Sequence, residues 1–251
     1  MSLMPQFVLI MATLAAVPAE TSLLSETTEE PGPDLTVNVA YQCAMKGSVT
    51  RFITCFDSEE DPYHEVITDQ VNQRDSEARS PLDIASSLGR LEMVKELLAR
   101  GAEVNAATVK GITALHRAAH WGKVDIVKQL VENGADMQAR TSYGERAREG
   151  ALRYSHMECV DYLDWAEARE ALVTSIQEAK DTLADPEKIQ GRFSRDDKQV
   201  TVNTCNEKTQ WLEANPDATT NDFIQQRKDF EDSLAPIWAK LLEPPKTPQK
   251  K

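Results

Sequence analysis

The chain has 251 residues, ordinary shares of apolar and charged side chains, and a formal net charge of −13. That length accommodates one or two domains with a core that needs neither disulfides nor metal. The negative charge argues against nucleic-acid binding, which draws most of its affinity from basic surfaces, and against binding to anionic membranes.

The first 35 residues are expected to form a disordered leader. No Lys or Arg occurs before Lys46, while acidic residues accumulate between Glu20 and Asp34. The apolar run from Phe7 to Val17 is too short to span a bilayer. It is either a signal peptide without a basic n-region or an artefactual leader before the natural start. We expect a cytoplasmic protein rather than a secreted one.

The cysteine pattern also fits a reducing compartment. The chain has four cysteines, which are scattered and form no Cys-x-x-Cys pair. We therefore expect reduced thiols in a helical core rather than a disulfide framework. They are Cys43, Cys55, Cys159 and Cys205.

Two neighbouring segments of the chain match each other with a period of 33 residues. The first spans residues 75–108 and the second residues 109–141. Leu82 matches Leu115, and the turn glycine Gly89 matches Gly122. A fixed period of this size indicates a solenoid of stacked helical units.

The second segment closely resembles the ankyrin repeat, which implies an inner and an outer helix in each unit. Thr113 is placed to cap the inner helix, and Gly122 to turn the chain into the outer helix. Two degenerate repeats are expected on either side, one from Ala44 with an acidic insertion at residues 57–65, the other over residues 144–165. The predicted stack covers residues 36–165, and terminal repeats are usually atypical.

After Trp165 the period stops and amphipathic helices follow, so the whole chain is predicted to be all-α. Three longer helices and a short last one form a small up-and-down bundle over residues 166–243. They are predicted at residues 168–185, 194–215 (capped by Ser194; apolar at Val200, Val202, Cys205, Trp211 and Leu212), 220–234 (Phe223, Ile224, Phe230, Leu234) and 236–242.

The bundle resembles the C-terminal helical lid of the seventy-kilodalton heat-shock chaperones. The matching residues are Glu187, Lys188, Gln190, Gly191, Asp196 to Gln199, Cys205 to Glu207, Trp211, Leu212, Phe223, Gln225, Gln226, Glu231, Pro236 and Ile237. The chain has no counterpart of the chaperones' nucleotide-binding domain or substrate-binding β-sandwich, so ATP-driven chaperoning does not carry over. The resemblance implies, as an alternative function, a regulator of chaperones or their clients.

The junction RYSHMECVDYLDWAEAR, together with an ankyrin stack and a lid-like bundle, resembles one family of ankyrin adaptors. That resemblance implies a cytoplasmic adaptor at cell-division structures, the midbody or cleavage furrow, or at cilia.

The repeat register predicts a partner-binding surface on the concave face, at inner-helix ends next to the hairpin tips. Trp, Tyr and Arg are enriched among residues that dominate binding energy. The alternative is that the two aromatic residues pack as core between repeats. The candidate residues are Ser87, Leu88, His120, Trp121, Arg153 and Tyr154, with Arg117 as a weaker candidate.

No catalytic, cofactor, metal or small-molecule site is predicted. His116 and His120 are one helical turn apart, a spacing that suits zinc, but the general-base Glu of His-Glu-x-x-His enzymes and a third ligand are absent. No phosphate-binding glycine loop or nucleophile elbow occurs either. We therefore expect a non-enzymatic chain that binds one or more proteins.

The last eight residues, 244–251, read as a basic solvated tail. Within it Thr247-Pro248 fits a proline-directed phosphorylation site, and Thr247 is the predicted acceptor.

Overall fold

The structure is a computed structural model that describes residues 37–242, and every regular element in that range is helical. Its first part is a stack of four repeats, each with an inner and an outer helix. The inner helices are α1 (Val39–Lys46), α4 (Pro81–Leu88), α6 (Ala114–His120) and α8 (Ala147–Arg153). The outer helices are α2 (Val49–Asp57), α5 (Leu91–Ala99), α7 (Val124–Glu132) and the start of α9 (Met157–Ala184). A one-turn helix, α3 (Ile67–Gln70), ends the insertion after α2.

The four repeats confirm the two regular and two degenerate units predicted from the sequence. The predicted leader and basic tail lie outside the described residues, and so does Thr247. No helix of residues 37–242 combines the length and the apolar character needed to cross a membrane.

Side chains in the first turn fix where the inner helices begin. The hydroxyl of Thr113 accepts from the backbone N–H of His116, as predicted, and Ser80 and Asp83 form the same reciprocal cap on α4. In the last repeat, Arg146 stands where the ankyrin pattern has Thr. There Glu149 Oε2 accepts from the Arg146 backbone N–H at 2.7 Å, so the helix start is still stabilised.

Small buried residues let the inner helices approach closely. Ala85, Ala118 and Ala151 recur at the same register and are fully buried where neighbouring inner helices meet. Behind them the outer helices contribute buried aliphatic side chains such as Val94, Val127 and Leu130. The result is one continuous hydrophobic core along the stack.

The bundle is built from the second part of α9, α11 (Arg195–Ala214) and α12 (Thr220–Trp238), joined by the short α10 (Pro186–Ile189). A short 3-10 helix over Ala239–Leu241 follows α12. The predicted cap of α11 is confirmed, because Ser194 accepts from the N–H of Asp197 and the Asp197 carboxylate accepts from the N–H of Ser194. The core of the bundle is formed mainly by Leu172, Ile176, Phe193, Cys205, Phe223, Phe230, Leu234 and Ile237.

Two features of the bundle differ from the simplest interpretation of its sequence. Val200, Val202 and Ile224, apolar residues of two predicted helices, are 47%, 40% and 54% exposed and lie outside the core. The buried positions of α11 are instead Thr201, Cys205 and Lys208, which recur at i, i+4 and i+7.

The second difference concerns Pro236, which the sequence predicts as the start of a separate last helix. α12 continues through it to Trp238. In this last turn Ile237 is buried, and the ring of Trp238 packs on the ring of Phe193 with centroids 5.8 Å apart. Proline has no backbone N–H, so α12 continues through this position at the cost of one helical hydrogen bond.

Trp165 connects the stack to the bundle. It lies on α9, which runs through 28 residues from the last repeat into the bundle. Its indole N–H donates to the Ala218 carbonyl at 2.8 Å, and its ring meets Phe223 edge-on at 5.9 Å while stacking on Tyr162. Trp165 is therefore half-buried between the two hydrophobic clusters and contacts both.

Candidate protein-binding surface

Each inner helix has only one edge that is open to solvent. In α6 five of the seven residues are buried against neighbouring helices, and the others are Arg117 and His120. Trp121 follows directly as the helix cap and is 62% exposed. These three residues are spaced i, i+3 and i+4, so they share one face of the helix.

The same edge is exposed in the neighbouring repeats. Leu88, Trp121 and Tyr154 each precede the residue that turns the chain into the outer helix, and Leu88 and Tyr154 are 49% and 55% exposed. The rings of His120 and Tyr154 lie 5.5 Å apart, which places two repeats side by side at this edge. We call the set Ser87, Leu88, His120, Trp121, Arg153 and Tyr154 the inner-helix strip.

Trp121 and Tyr154 are exposed, whereas the alternative has both residues packed as core between repeats. Their rings contribute apolar area to the surface at successive repeats, and the inner helices carrying them contact each other. A row of exposed large side chains of this kind is typical of surfaces that bind proteins.

The strip does not lie next to the hairpin tips, which corrects the sequence prediction. The tip between the second and third repeats contains Val109 and Lys110, and α6 begins only at Ala114. Trp121 comes after the last residue of that helix, about 10 Å along its axis from the tip. The predicted residues therefore occupy the opposite end of the inner-helix face from the tips.

Sequence reasoning missed three exposed apolar residues on or beside this face. Val109 and Tyr143 sit at successive hairpin tips and are 83% and 78% exposed, and Met45 is 51% exposed at the end of α1. Met45 could have been found from its position relative to Gly47, which matches that of Ser87 relative to Gly89. The tips carry no helical periodicity, and Val109 and Tyr143 lie at different offsets from their turn glycines Gly111 and Gly144, so no pattern in the sequence signals them.

Arg117, the weaker candidate, is engaged within the stack. Its Nε lies 3.5 Å from Oδ1 of Asp83 on the preceding inner helix. Burial raises the pKa of Asp83, whereas the N–H of Ser80 and the Arg117 guanidinium oppose that shift. Arg117 therefore compensates a buried carboxylate and links two repeats, and most of its side chain is covered.

The two histidines of α6 pack against neighbouring parts of the stack. His116 is buried, with Nδ1 2.9 Å from the Thr113 hydroxyl and Nε2 3.1 Å from the Glu145 carbonyl. Burial lowers the pKa of both His116 and His120. No cluster of three or more His, Cys, Asp or Glu side chains within residues 37–242 is arranged to hold a metal.

Gly150 makes room for His120. A Cβ added to Gly150 would lie 2.0 Å from His120 Nε2, so only glycine fits beside that ring. This contact brings α6 and α8 together at the strip and orients His120 towards Tyr154.

Basic side chains cover the turns beside the strip. Arg90, Lys123 and His156 each occupy the residue before an outer helix and lie over the turn glycine of the preceding repeat. A Cβ on Gly122, which has φ +62°, would meet His156 Nδ1 at 2.6 Å. Arg153 adds a further cation, whose Nη2 is 2.8 Å from Glu145 Oε1.

Comparisons with known proteins agree with this architecture. A family model described as ankyrin repeats (3 copies) matches residues 82–168. The chain is 37% identical over 216 residues to ankyrin repeat domain-containing protein 45 of Homo sapiens, covering 86% of this chain and 80% of the human one. It is 40% identical over 220 residues to the Mus musculus protein of that name, covering 88% of each chain. The Danio rerio protein is 43% identical over 100 residues, 40% of this chain and 45% of that one.

Proposed function

This chain belongs to the family of ankyrin repeat domain-containing protein 45, and from that premise we propose that it is a non-enzymatic scaffold that binds a partner protein along the concave inner-helix strip. Ankyrin repeats generally serve protein–protein interaction. The observation that carries the proposal is the exposure of Trp121 and Tyr154 at equivalent positions of adjacent repeats. Trp and Tyr combine a large contact area with few rotatable bonds, so fixing them on binding costs little entropy.

The scaffold role is tested by removing both rings from the full-length chain. Trp121→Ala with Tyr154→Ala is expected to abolish most specific neighbours in quantitative proximity labelling in cells. The matched control is Val200→Ala with Ile224→Ala, because these two bundle residues are also about half exposed but lie away from the strip. An unchanged set of neighbours after loss of the two rings would contradict the proposal.

A second candidate function acts through the bundle. The lid-like helices expose Val173, Val200, Val202 and Ile224, apolar side chains that a chaperone or a client could cover. If this candidate is correct, the Val200→Ala and Ile224→Ala variant loses neighbours while the Trp121→Ala and Tyr154→Ala variant keeps them. The same two variants therefore decide between the candidates.

The site of action is a separate proposal. We propose a cytoplasmic adaptor located at cell-division structures, the midbody or cleavage furrow, or at cilia. Imaging of the tagged full-length chain through division and in ciliated cells tests this, and a signal spread evenly through the cytoplasm at every stage would contradict it.

A further inference from the structure

The inner-helix face carries basic side chains that contrast with the charge of the whole molecule. The chain has a formal net charge of −13. Yet three basic residues lie beside the strip or over its turns, and none forms an ion pair with a carboxylate of residues 37–242. They are Lys46, Arg90 and Lys123.

The carboxylates of the same face are already engaged. Asp83 is buried beside Arg117, Glu145 is mostly covered and bound to Arg153, and Glu77 lies 3.2 Å from Arg79. The exposed acids of the neighbouring outer helices, Asp125 and Glu158, stand in first turns, where the positive end of the helix dipole offsets them. The cations of the face therefore lack ion-pair partners, whereas its acids are either paired or lie at the positive end of a helix dipole.

Apolar anchor sites alternate with these cations. Leu88, Trp121 and Tyr154 form the row of the strip, with Lys123 lying over the turn next to Leu88 and Arg90 over the turn before it. Neighbouring inner helices are spaced about 8–10 Å apart, so the row from α1 to α8 is about 24–30 Å long. An extended chain of about eight residues spans that length.

We infer that the inner-helix strip binds an extended acidic segment of a partner protein, with aromatic or aliphatic side chains between its carboxylates. This inference rests on the proposed scaffold function and specifies the chemistry of its partner. Carboxylates of the segment complement Lys46, Arg90 and Lys123, and its apolar side chains cover Leu88, Trp121 and Tyr154. The acidic charge of the rest of the chain repels such a segment elsewhere, so the strip is the favoured place for it.

Peptide selection against the full-length chain tests the inference. A display library of randomised ten-residue peptides is expected to yield peptides rich in Asp and Glu that also contain Trp, Phe or Leu. Their affinity is then measured by fluorescence anisotropy at low and high salt. Arg90→Glu with Lys123→Glu is expected to weaken binding about tenfold or more, and added salt to weaken binding to the unaltered chain. Lys198→Glu with Lys228→Glu changes the net charge equally on the bundle and is expected to change affinity less than about twofold.

A second charge variant guards against a folding defect. Lys46→Glu alters the third cation of the strip, and urea unfolding verifies that each variant retains the stability of the unaltered chain. Loss of affinity in both strip variants, with unaltered stability, supports the inference. Equal binding of peptides by the strip variants and the unaltered chain overturns it.

The outcomes separate the inference from the scaffold proposal. If neutral or basic peptides are selected and lose binding with Trp121→Ala and Tyr154→Ala, the strip binds proteins but the acidic segment is wrong. If no selected peptide depends on the two rings, both ideas fail. Self-association in sedimentation velocity that Arg90→Glu and Lys123→Glu abolish would assign the strip to a second copy. Binding of RNA or phosphatidylserine vesicles in place of acidic peptides would also overturn the inference.

Discussion

Ser155 occupies the turn position that Gly89 and Gly122 hold in the two preceding repeats, and it has a φ of 60°. A left-handed backbone at a residue with a Cβ costs about 1–2 kcal/mol, whereas glycine adopts it freely. Ser155 is exposed, so its hydroxyl brings no buried contact that would offset this strain.

Ser155→Gly is therefore expected to stabilise the fold by about 0.5–1 kcal/mol, the relief of strain less the greater entropy of glycine in the unfolded chain. Urea unfolding followed by circular dichroism measures the change. Ser175→Gly, in the middle of α9, is the control and is expected to destabilise by about 0.5 kcal/mol, the difference between the helix propensities of serine and glycine. A loss of stability in Ser155→Gly would contradict the interpretation of this turn.

His116 and His120 make the stack sensitive to mild acid. Burial lowers the pKa of both rings below the usual 6.5, so near pH 6 the unfolded chain binds more protons than the folded one. Stability is therefore full above pH 6.5 and falls as the pH drops below it, until the lowered folded pKa values are passed. His120→Gln is expected to lose less stability than the unaltered chain between pH 7.5 and 5.5 in urea unfolding. The account is contradicted if both chains lose the same amount.

Among the elements, the ankyrin helices could be predicted well because their ends have strong local signals. Thr113 caps α6 as expected, and Gly122 turns the chain through a positive φ. The register of these two residues also located Leu88, Trp121 and Tyr154 on one edge. Which way a ring turns depends on its neighbours, so the sequence left open whether Trp121 and Tyr154 would be core or surface.

The bundle shows why apolar character alone misplaced some residues. Thr201 and Lys208 are buried because each has a hydrogen-bond partner, the Asp197 carbonyl for Thr201 Oγ1 and Gln226 Oε1 for Lys208 Nζ. Val200 and Val202 flank Thr201 and consequently face solvent. The partner of Lys208 comes from α12, a tertiary contact that the sequence of α11 does not reveal.

Pro236 leads to a prediction for α12. Proline has no backbone N–H, so the helical bond to the Asp232 carbonyl is missing in the last turns. Since Pro236 is exposed, Pro236→Ala is expected to stabilise the bundle by about 1–3 kcal/mol in urea unfolding. Pro186→Ala is the control: it lies in the first turn of α10, where proline costs nothing, and is expected to bring no gain. Equal gains in both variants would contradict this explanation.

For the whole molecule, Trp165 is expected to couple the unfolding of stack and bundle. Trp165→Ala removes the hydrogen bond to Ala218 and the contact with Phe223, and is expected to cost about 3 kcal/mol. Calorimetry should then show two transitions where the unaltered chain shows one. Trp121→Ala, which removes an exposed ring, is the control and is expected to change stability by less than about 0.5 kcal/mol. A single unshifted transition in Trp165→Ala would refute the coupling.

The charge of the whole molecule bears on how the strip meets its partner. An acidic molecule with a basic, partly apolar inner-helix face attracts acidic segments to that face and repels them from its other faces. This arrangement makes the rate of association with the partner dependent on salt.

Photo-crosslinking in cells tests most directly whether the molecule works through the inner-helix strip. A photoreactive phenylalanine derivative is introduced at position 121 or, as control, at position 224, since Trp121 and Ile224 are 62% and 54% exposed on the stack and the bundle. We expect a discrete covalent adduct with a partner protein from position 121 and none from position 224. An adduct from position 224 alone would contradict the account.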